Sequence, residues 1–268
     1  MNMDILKRSL APVTGEAWAE IDAQAADVLR GVLTGRRVAD VSDPKGWRCD
    51  SVSSGTLSLA EGSPVEGVNY GIREVLPLVE VRVPFSLPMW DLDDISRGCR
   101  TTDFTPLQAA ARRAALFEDT AIFKGLEEAG ILGIEAEADN SPVEAGLDDD
   151  SLIKAVYEAT HVLSSRNVGG PYALVCSKRV WEKIATSNAA YPLRKSLGKI
   201  VDKIIISRQY DADFVASLRG GDSELVIGQD FSVGYQSHST TEVNFYITET
   251  FTFRVVTPEA FVPLAISE

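Results

Sequence analysis

A chain of 268 residues, 45% of them hydrophobic, is long enough to bury a sizeable core as one large domain or two modest ones. Its 39 acidic and 26 basic residues leave a net charge of −13, which opposes binding to nucleic-acid phosphates or anionic membranes. No apolar run approaches the roughly 20 residues that cross a bilayer, and three cysteines without metal-ligand spacing (Cys49, Cys99, Cys176) in a chain lacking a secretion leader point to a reducing cytoplasm.

The first residues read as an ordered arm, after which Thr14 caps a helix whose apolar stripe is Trp18, Ile21, Ala25, Val28 and Val32. Gly31 or Gly35 ends it. Glu16, Glu20, Asp22 and Asp27 occupy the other side, where a membrane-surface helix would carry Lys and Arg, so the stripe meets protein. From Gly46 to about Leu76, serines and glycines surround short alternating stretches such as Thr56-Leu57-Ser58-Leu59, the pattern of an extended β-hairpin. Its apolar residues are too sparse for a core of its own, so it needs another surface, which a neighbouring subunit would supply. Val75 to Phe85 alternates as a strand, and Pro77, Pro84 and Pro88 restrict it to an edge or its ends.

The longest helical pattern runs from Thr105 to Ala129, with Thr105 as cap and Pro106 at the first helical position. Leu107, Ala110, Ala114, Phe117 and Ala121 form the expected buried face, Phe117 and Phe123 the anchors, and Arg112, Arg113, Asp119 and Glu128 lie elsewhere on the wheel. A mixed α/β lobe is expected over 135–228: a helix from Ser151, a strand at Tyr172–Cys176, a helix near Ser177 with Trp181 and Ile184, an uncharged loop from Ala185 to Leu193, and short strands at Lys203 to Ser207 and Glu224 to Gly228. RGGD at Arg219 to Asp222 is a tight turn with no phosphate-loop pattern.

The chemistry-bearing residues are few. Asp91, Asp93 and Asp94 match no metal-ligand spacing, and Asp148, Asp149 and Asp150 precede a helix, where carboxylates accept backbone N–H bonds. Only two histidines exist, His161 inside a helix with its ring satisfied locally and His238 in a Ser/Thr-rich turn, and no nucleophile elbow accompanies them. No catalytic or metal residues are assigned, and the chain is read as a non-enzyme.

Four stretches, in order, then carry a resemblance: LKRSLAPVTGEAW near the start, GRRVADVSDPKGW after the first helix, FEDTAIFKG in the long helix, and GQDFSVGYQSHSTTEVNFYITETFTFRVVTPEAFVPL at the end. Together they resemble the encapsulin shell proteins. The resemblance implies an α+β chain with the HK97-like fold of tailed-phage major capsid proteins: N-terminal arm and helix (1–45), E-loop (46–76), P-domain with spine helix (77–134), A-domain (135–228) and P-domain return strands (229–268). It implies many copies closing into a hollow icosahedral cage, E-loops pairing across neighbours, and cargo enzymes, dye-decolorizing peroxidase or ferritin-like, held by short C-terminal targeting peptides. Leu29, Arg36, Asp40, Asp230 and Phe231 match the cargo-peptide groove, and Thr186, Ser187, Asn188, Ala189 and Ala190 match the loop lining the fivefold pore. No cofactor is required, although Trp90, with Arg82 nearby, matches a tryptophan on which some members stack a flavin. Some phage relatives join subunits through a lysine on the E-loop, whereas here no Lys falls between Lys45 and Lys124. The rival readings are a phage major capsid protein, disfavoured by the N-terminal helix ending in GRRVADV, and an enzyme or secreted antibacterial protein or protease, which the residue inventory does not support.

Overall fold

The computed structural model describes residues 4–187 and 191–267. In chain order the helices are α1 (Gly15–Val32), α2 (Met89–Ser96), α3 (Thr105–Phe123), α4 (Ile134–Glu137), α5 (Asp149–Ser165), α6 (Lys178–Thr186) and α7 (Leu193–Leu197). The strands are β1 (Asp40–Val41), β2 (Ser51–Leu59), β3 (Gly71–Pro77), β4 (Val79–Pro88), β5 (Gly125–Leu126), β6 (Ile131–Leu132), β7 (Val143–Ala145), β8 (Tyr172–Cys176), β9 (Lys203–Ile206), β10 (Phe214–Ser217), β11 (Ser223–Ile227), β12 (Ser232–His238), β13 (Glu242–Val255) and β14 (Phe261–Ile266).

The 14-residue strand β13 organises the first sheet: β11 and β12 pair successive stretches of it, β4 runs antiparallel along residues 242–251, and β1 adds to β11. Among the described residues β4 pairs only with β13, so its prolines sit on an edge strand, as the missing N–H groups require. The second sheet runs β7-β14-β10-β8-β9, with α5, α6 and α7 packed around it. Sheet membership cuts across the boundaries expected at residues 228 and 229. β11 pairs with β13 in the first sheet, and β14 returns to the lobe, antiparallel to β10 and parallel to β7, because Phe261, Val262 and Leu264 complete its core.

α1 begins as read, with the Thr14 hydroxyl accepting from Ala17 N, but its buried stripe is Ala17, Ile21, Ala25 and Leu29, with Trp18, Val28 and Val32 only partly covered. Trp18 meets Phe245 edge-on at 5.4 Å, which seats the helix on β13. The Asp148 and Ser177 side chains cap α5 and α6. The strand expected from Val75 to Phe85 is two strands broken at Leu78.

The long helix corrects the sequence reading in four places. Thr105 is its first helical residue and not its cap; its N–H donates to Asp103 Oδ1 at 2.8 Å. It ends at Phe123, six residues short of Ala129, because Gly125 (φ +102°) turns the chain into the β5–β6 ribbon and Gly133 packs against the Gly125 backbone, where a Cβ would meet the Gly125 nitrogen at 2.3 Å. Phe117 is 36% exposed and so is no anchor, whereas Phe123 is fully buried between Tyr210 (5.6 Å) and Phe214 (5.7 Å). Asp119, placed on the outer face by periodicity, is fully buried together with Glu118, for reasons of hydrogen bonding given below.

β2 and β3 form the expected antiparallel hairpin, and it projects its apolar side chains into solvent: Leu59, Ile72 and Val75 are 75%, 65% and 54% exposed. Its register shifts between Ser53 and Leu57, where Gly55 adopts φ +84°. The hydroxyls of Thr56 and Ser58 donate to the Glu74 carboxylate across this bulge and hold its pKa below the ordinary value.

Truncating the true anchor should therefore cost more than truncating the expected one. Phe123→Ala is expected to destabilise by about 3–5 kcal/mol and Phe117→Ala by well under half of that, read from denaturant midpoints of the two variants.

Candidate functional site

The candidate site is a groove of about 420 Å³ between the second half of α1 and residues 230–233. Ala25, Ala26, Leu29, Leu33, Val233 and Ile247 make its apolar lining. One end is closed by Arg8, whose Nη1 and Nη2 donate to the two Asp22 oxygens at 2.7 Å, whose Nε donates to the Val233 carbonyl, and whose guanidinium lies over Trp18 at 4.5 Å. The other end is closed by Arg36.

Arg36 stands on the 3₁₀ turn Gly35–Arg37 that follows α1. Its Nε and Nη2 donate to Glu118 at 2.8–3.0 Å, Nη2 also reaches Glu249 Oε1 at 2.5 Å, Nη1 pairs with Asp230 at 2.9 Å, and the Phe231 ring lies 5.0 Å beneath it. Burial alone would lower the Arg36 pKa, but the hydrogen bonds and charge of Glu118, then of Glu249 and Asp230, overcome it and hold the guanidinium firmly charged. Next along α3, Asp119 accepts from Thr34 N (3.0 Å) and Gly35 N (2.8 Å), satisfying the N–H groups that open the turn. Gly35 has no room for more, since a Cβ there would meet Ile122 Cδ1 at 2.4 Å. Two adjacent carboxylates on one helix thus fasten the end of α1 to α3.

Of the expected groove residues, the structure brings Leu29, Arg36, Asp230 and Phe231 together. Asp40 lies elsewhere: it accepts from Gly221 N in the RGGD turn, pairs in β1, and lines a separate polar hollow with Arg37 and Asp222. The sequence reading missed Arg8, Asp22, Glu118 and Glu249. The one sequence signal was Glu249, a charge in the strand pattern ITETFTF; Arg8, Asp22 and Glu118 sit beside other polar or charged residues and carried none.

Of the pore-loop residues, Thr186 ends α6 and donates to the Glu182 carbonyl, and the Ser187 hydroxyl donates to Asp149, which Lys183 also grips at 2.8 Å. Asn188, Ala189 and Ala190 lie outside the described residues. Trp90 is 72% exposed on α2, while Arg82 sits mid-strand, paired with Glu80 and stacked 4.8 Å over Tyr246. Six strand residues at about 3.3 Å each separate Arg82 from the end of β4, so the two share no pocket within one chain.

Among the described residues no group of three or more His, Cys, Asp or Glu is arranged to hold a metal, and no helix is long and apolar enough to cross a membrane. Burial pushes the Cys176 thiol up to about 12, and His161 is solvent-exposed on α5.

A long helix crossing a β13-centred sheet, a projecting hairpin and an attached α/β lobe define a capsid-type fold. Solved structures agree in fold: a virus-like particle from Pyrococcus furiosus aligns with TM-score 0.64 at 17% identity, covering 92% of this chain and 99% of its own, and the capsid of Mycobacterium phage Bobi with TM-score 0.60 at 12% identity, covering 88% and 91%. The family described as "encapsulating protein for peroxidase" matches residues 3–252, and type 1 encapsulin shell proteins of Mycobacterium tuberculosis and Brevibacterium linens are 40% and 36% identical, each over 98% of this chain and 100% of theirs. The chain belongs to the encapsulin shell-protein family.

The Asp119 carboxyl gives a pH test of the groove's framework. Burial, aided by the Glu118 charge and opposed by the Gly35 and Thr34 N–H groups, raises its pKa from 3.8 to about 7. The folded state then holds a proton that the unfolded chain releases, so this stability is fully present below 3.8 and is lost as pH rises through about 7. Denaturant unfolding at a series of pH values should show a downward slope across that window that flattens in Asp119→Asn.

Proposed function

We propose that this chain closes in many copies into a hollow icosahedral compartment and holds cargo enzymes on its inner wall through the α1 groove. The observation that carries the assembly is the β2–β3 hairpin. Beyond its base it shows Leu57, Leu59, Ile72 and Val75 to water, a burden that a stable monomer does not bear and a neighbouring copy removes. Contacts that cover such an arm belong to the obligate class, on the order of 2,000 Å² or more per pair of subunits. The compartment works as a wall and not as a catalyst, and it requires no cofactor. Trp90 is the place where a flavin would stack, and colourless protein without flavin absorbance would remove that possibility.

The groove supports the cargo reading because it is apolar along its floor and closed at both ends by charged clusters, the form suited to a short extended peptide. A peroxidase is the first guest to test, since the family is described by that cargo. Asp40, set apart from the groove, is not needed for docking. The uncharged loop around residues 186–190, if it lines the pore, sieves solutes by size.

Electron microscopy of the purified protein should show hollow spheres; a compact monomer at every concentration would end the assembly reading. Co-expression with a peroxidase carrying its C-terminal tail should fill those spheres, and Phe231→Asp should leave them intact and empty, because a charge beneath Arg36 opposes apolar docking. Normal loading of that variant would remove Phe231 from the seat. Without a lysine on the hairpin the shell is non-covalent, so boiling in detergent should yield one band at the 29.0 kDa of the protomer and no ladder.

A further inference from the structure

Beneath the groove, three carboxylates face one guanidinium. Asp230 is 47% exposed and keeps much of its hydration, but the Glu118 and Glu249 side chains are 0% and 1% exposed. Two buried anions against one cation leave a net charge in a dry site, which is costly. A single proton would make Arg36, Glu118 and Glu249 together neutral. The two carboxylates accept from the same Arg36 Nη2, which brings Glu118 Oε2 and Glu249 Oε1 close to each other, an arrangement that favours sharing a proton over double ionisation. The far oxygen of Glu249, Oε2, is buried with no hydrogen-bond partner, a position tolerable for a neutral acid and expensive for half of an anion.

No other charge among the described residues relieves the pair. Asp119, next on α3, turns away to Thr34 and Gly35; β4 sets Val81 opposite Glu249; β6 brings only Ile131 and Leu132. Burial and the charge of Glu118 push the Glu249 pKa well up, Arg36 pulls it down, and Asp230 pushes it further up.

We infer that Glu249 keeps a proton against the Glu118 carboxylate under Arg36, and that a cation settling on Asp230 in the groove drives this proton off. Neutralising Asp230 removes one of the charges that keep Glu249 protonated. It also withdraws a counter-ion from Arg36, and an ionised Glu249 replaces it. Both effects act in the same direction. By reciprocity, a ligand with a basic side chain at that end of the groove binds more tightly as pH rises, by at most about tenfold per pH unit while one proton is released. This deepens the cargo reading by assigning the Asp230 end to a basic residue; the proton itself rests only on the buried cluster.

Infrared spectra of the assembled protein, titrated from mildly acid to alkaline pH, test the inference directly. Because Asp119 is itself raised to about 7, the spectra are taken in an Asp119→Asn background, where an un-ionised carboxyl band should persist at neutral pH and vanish when Glu249→Gln, whose amide copies the neutral acid's shape, is added. Asp230→Asn, which mimics the covered carboxylate, should move the loss of that band down by roughly one pH unit, and Glu118→Gln, the second variant should Glu249→Gln fold poorly, should move it further. A band unchanged by Glu249→Gln, or a midpoint unmoved in both Asp230→Asn and Glu118→Gln, would overturn the inference. Cargo filling is scored by microscopy and not by this band, so a failure of the cargo reading is seen separately.

Discussion

The structure depends on the requirement that Arg36 be surrounded. Its guanidinium sits where α1 ends, where α3 passes and where β13 crosses beneath, and it touches a carboxylate from each of the latter two as well as Asp230. Removing Arg36 would leave Glu118 and Glu249 buried side by side without a counter-charge, so the elements are held in one mutual arrangement. Asp119 adds a second fastening one residue along the same helix, through backbone N–H groups of the turn that carries Arg36. Arg36 ties the end of α1 to Asp230 and Phe231 at one end of the groove, and Arg8, held by Asp22 and the Val233 carbonyl, ties the two walls at the other.

Around that junction the packing is conventional. The cluster between α1, α3 and the first sheet is built on Trp18, Phe85 and Phe245, and the larger one runs from the β13 end into the lobe through Phe123, Phe214, Phe251 and Phe261. β13 belongs to both, so the two halves of the chain share one strand as their floor. The return of β14 to the lobe ties them a second time.

Much of this was legible in the sequence and some was not, for identifiable reasons. Local rules were enough for the Thr14, Asp148 and Ser177 caps and for the hairpin, because each rests on neighbours in the chain. Helical periodicity misplaced Asp119, since it sorts residues by polarity, while burial here follows hydrogen-bond supply: the carboxylate goes inside where the Thr34 and Gly35 N–H groups await it. The β14 return was invisible because its partners lie more than forty residues away. The groove was half readable. Leu29, Arg36, Asp230 and Phe231 came from the resemblance, but Glu118 and Glu249, which fix Arg36, are ordinary glutamates until the fold places them side by side. Asp40 stands apart from the groove because it is held at Gly221, a contact across 181 residues that no local pattern announces.

The bulge between Ser53 and Leu57 has a geometric consequence. A plate reinforced by one long strand thus carries a slender extension that bends at a single glycine, and the bend is pinned by the Thr56 and Ser58 hydroxyls gathered on Glu74; lengthening or straightening that stretch would change how far, and in which direction, the arm reaches from the plate.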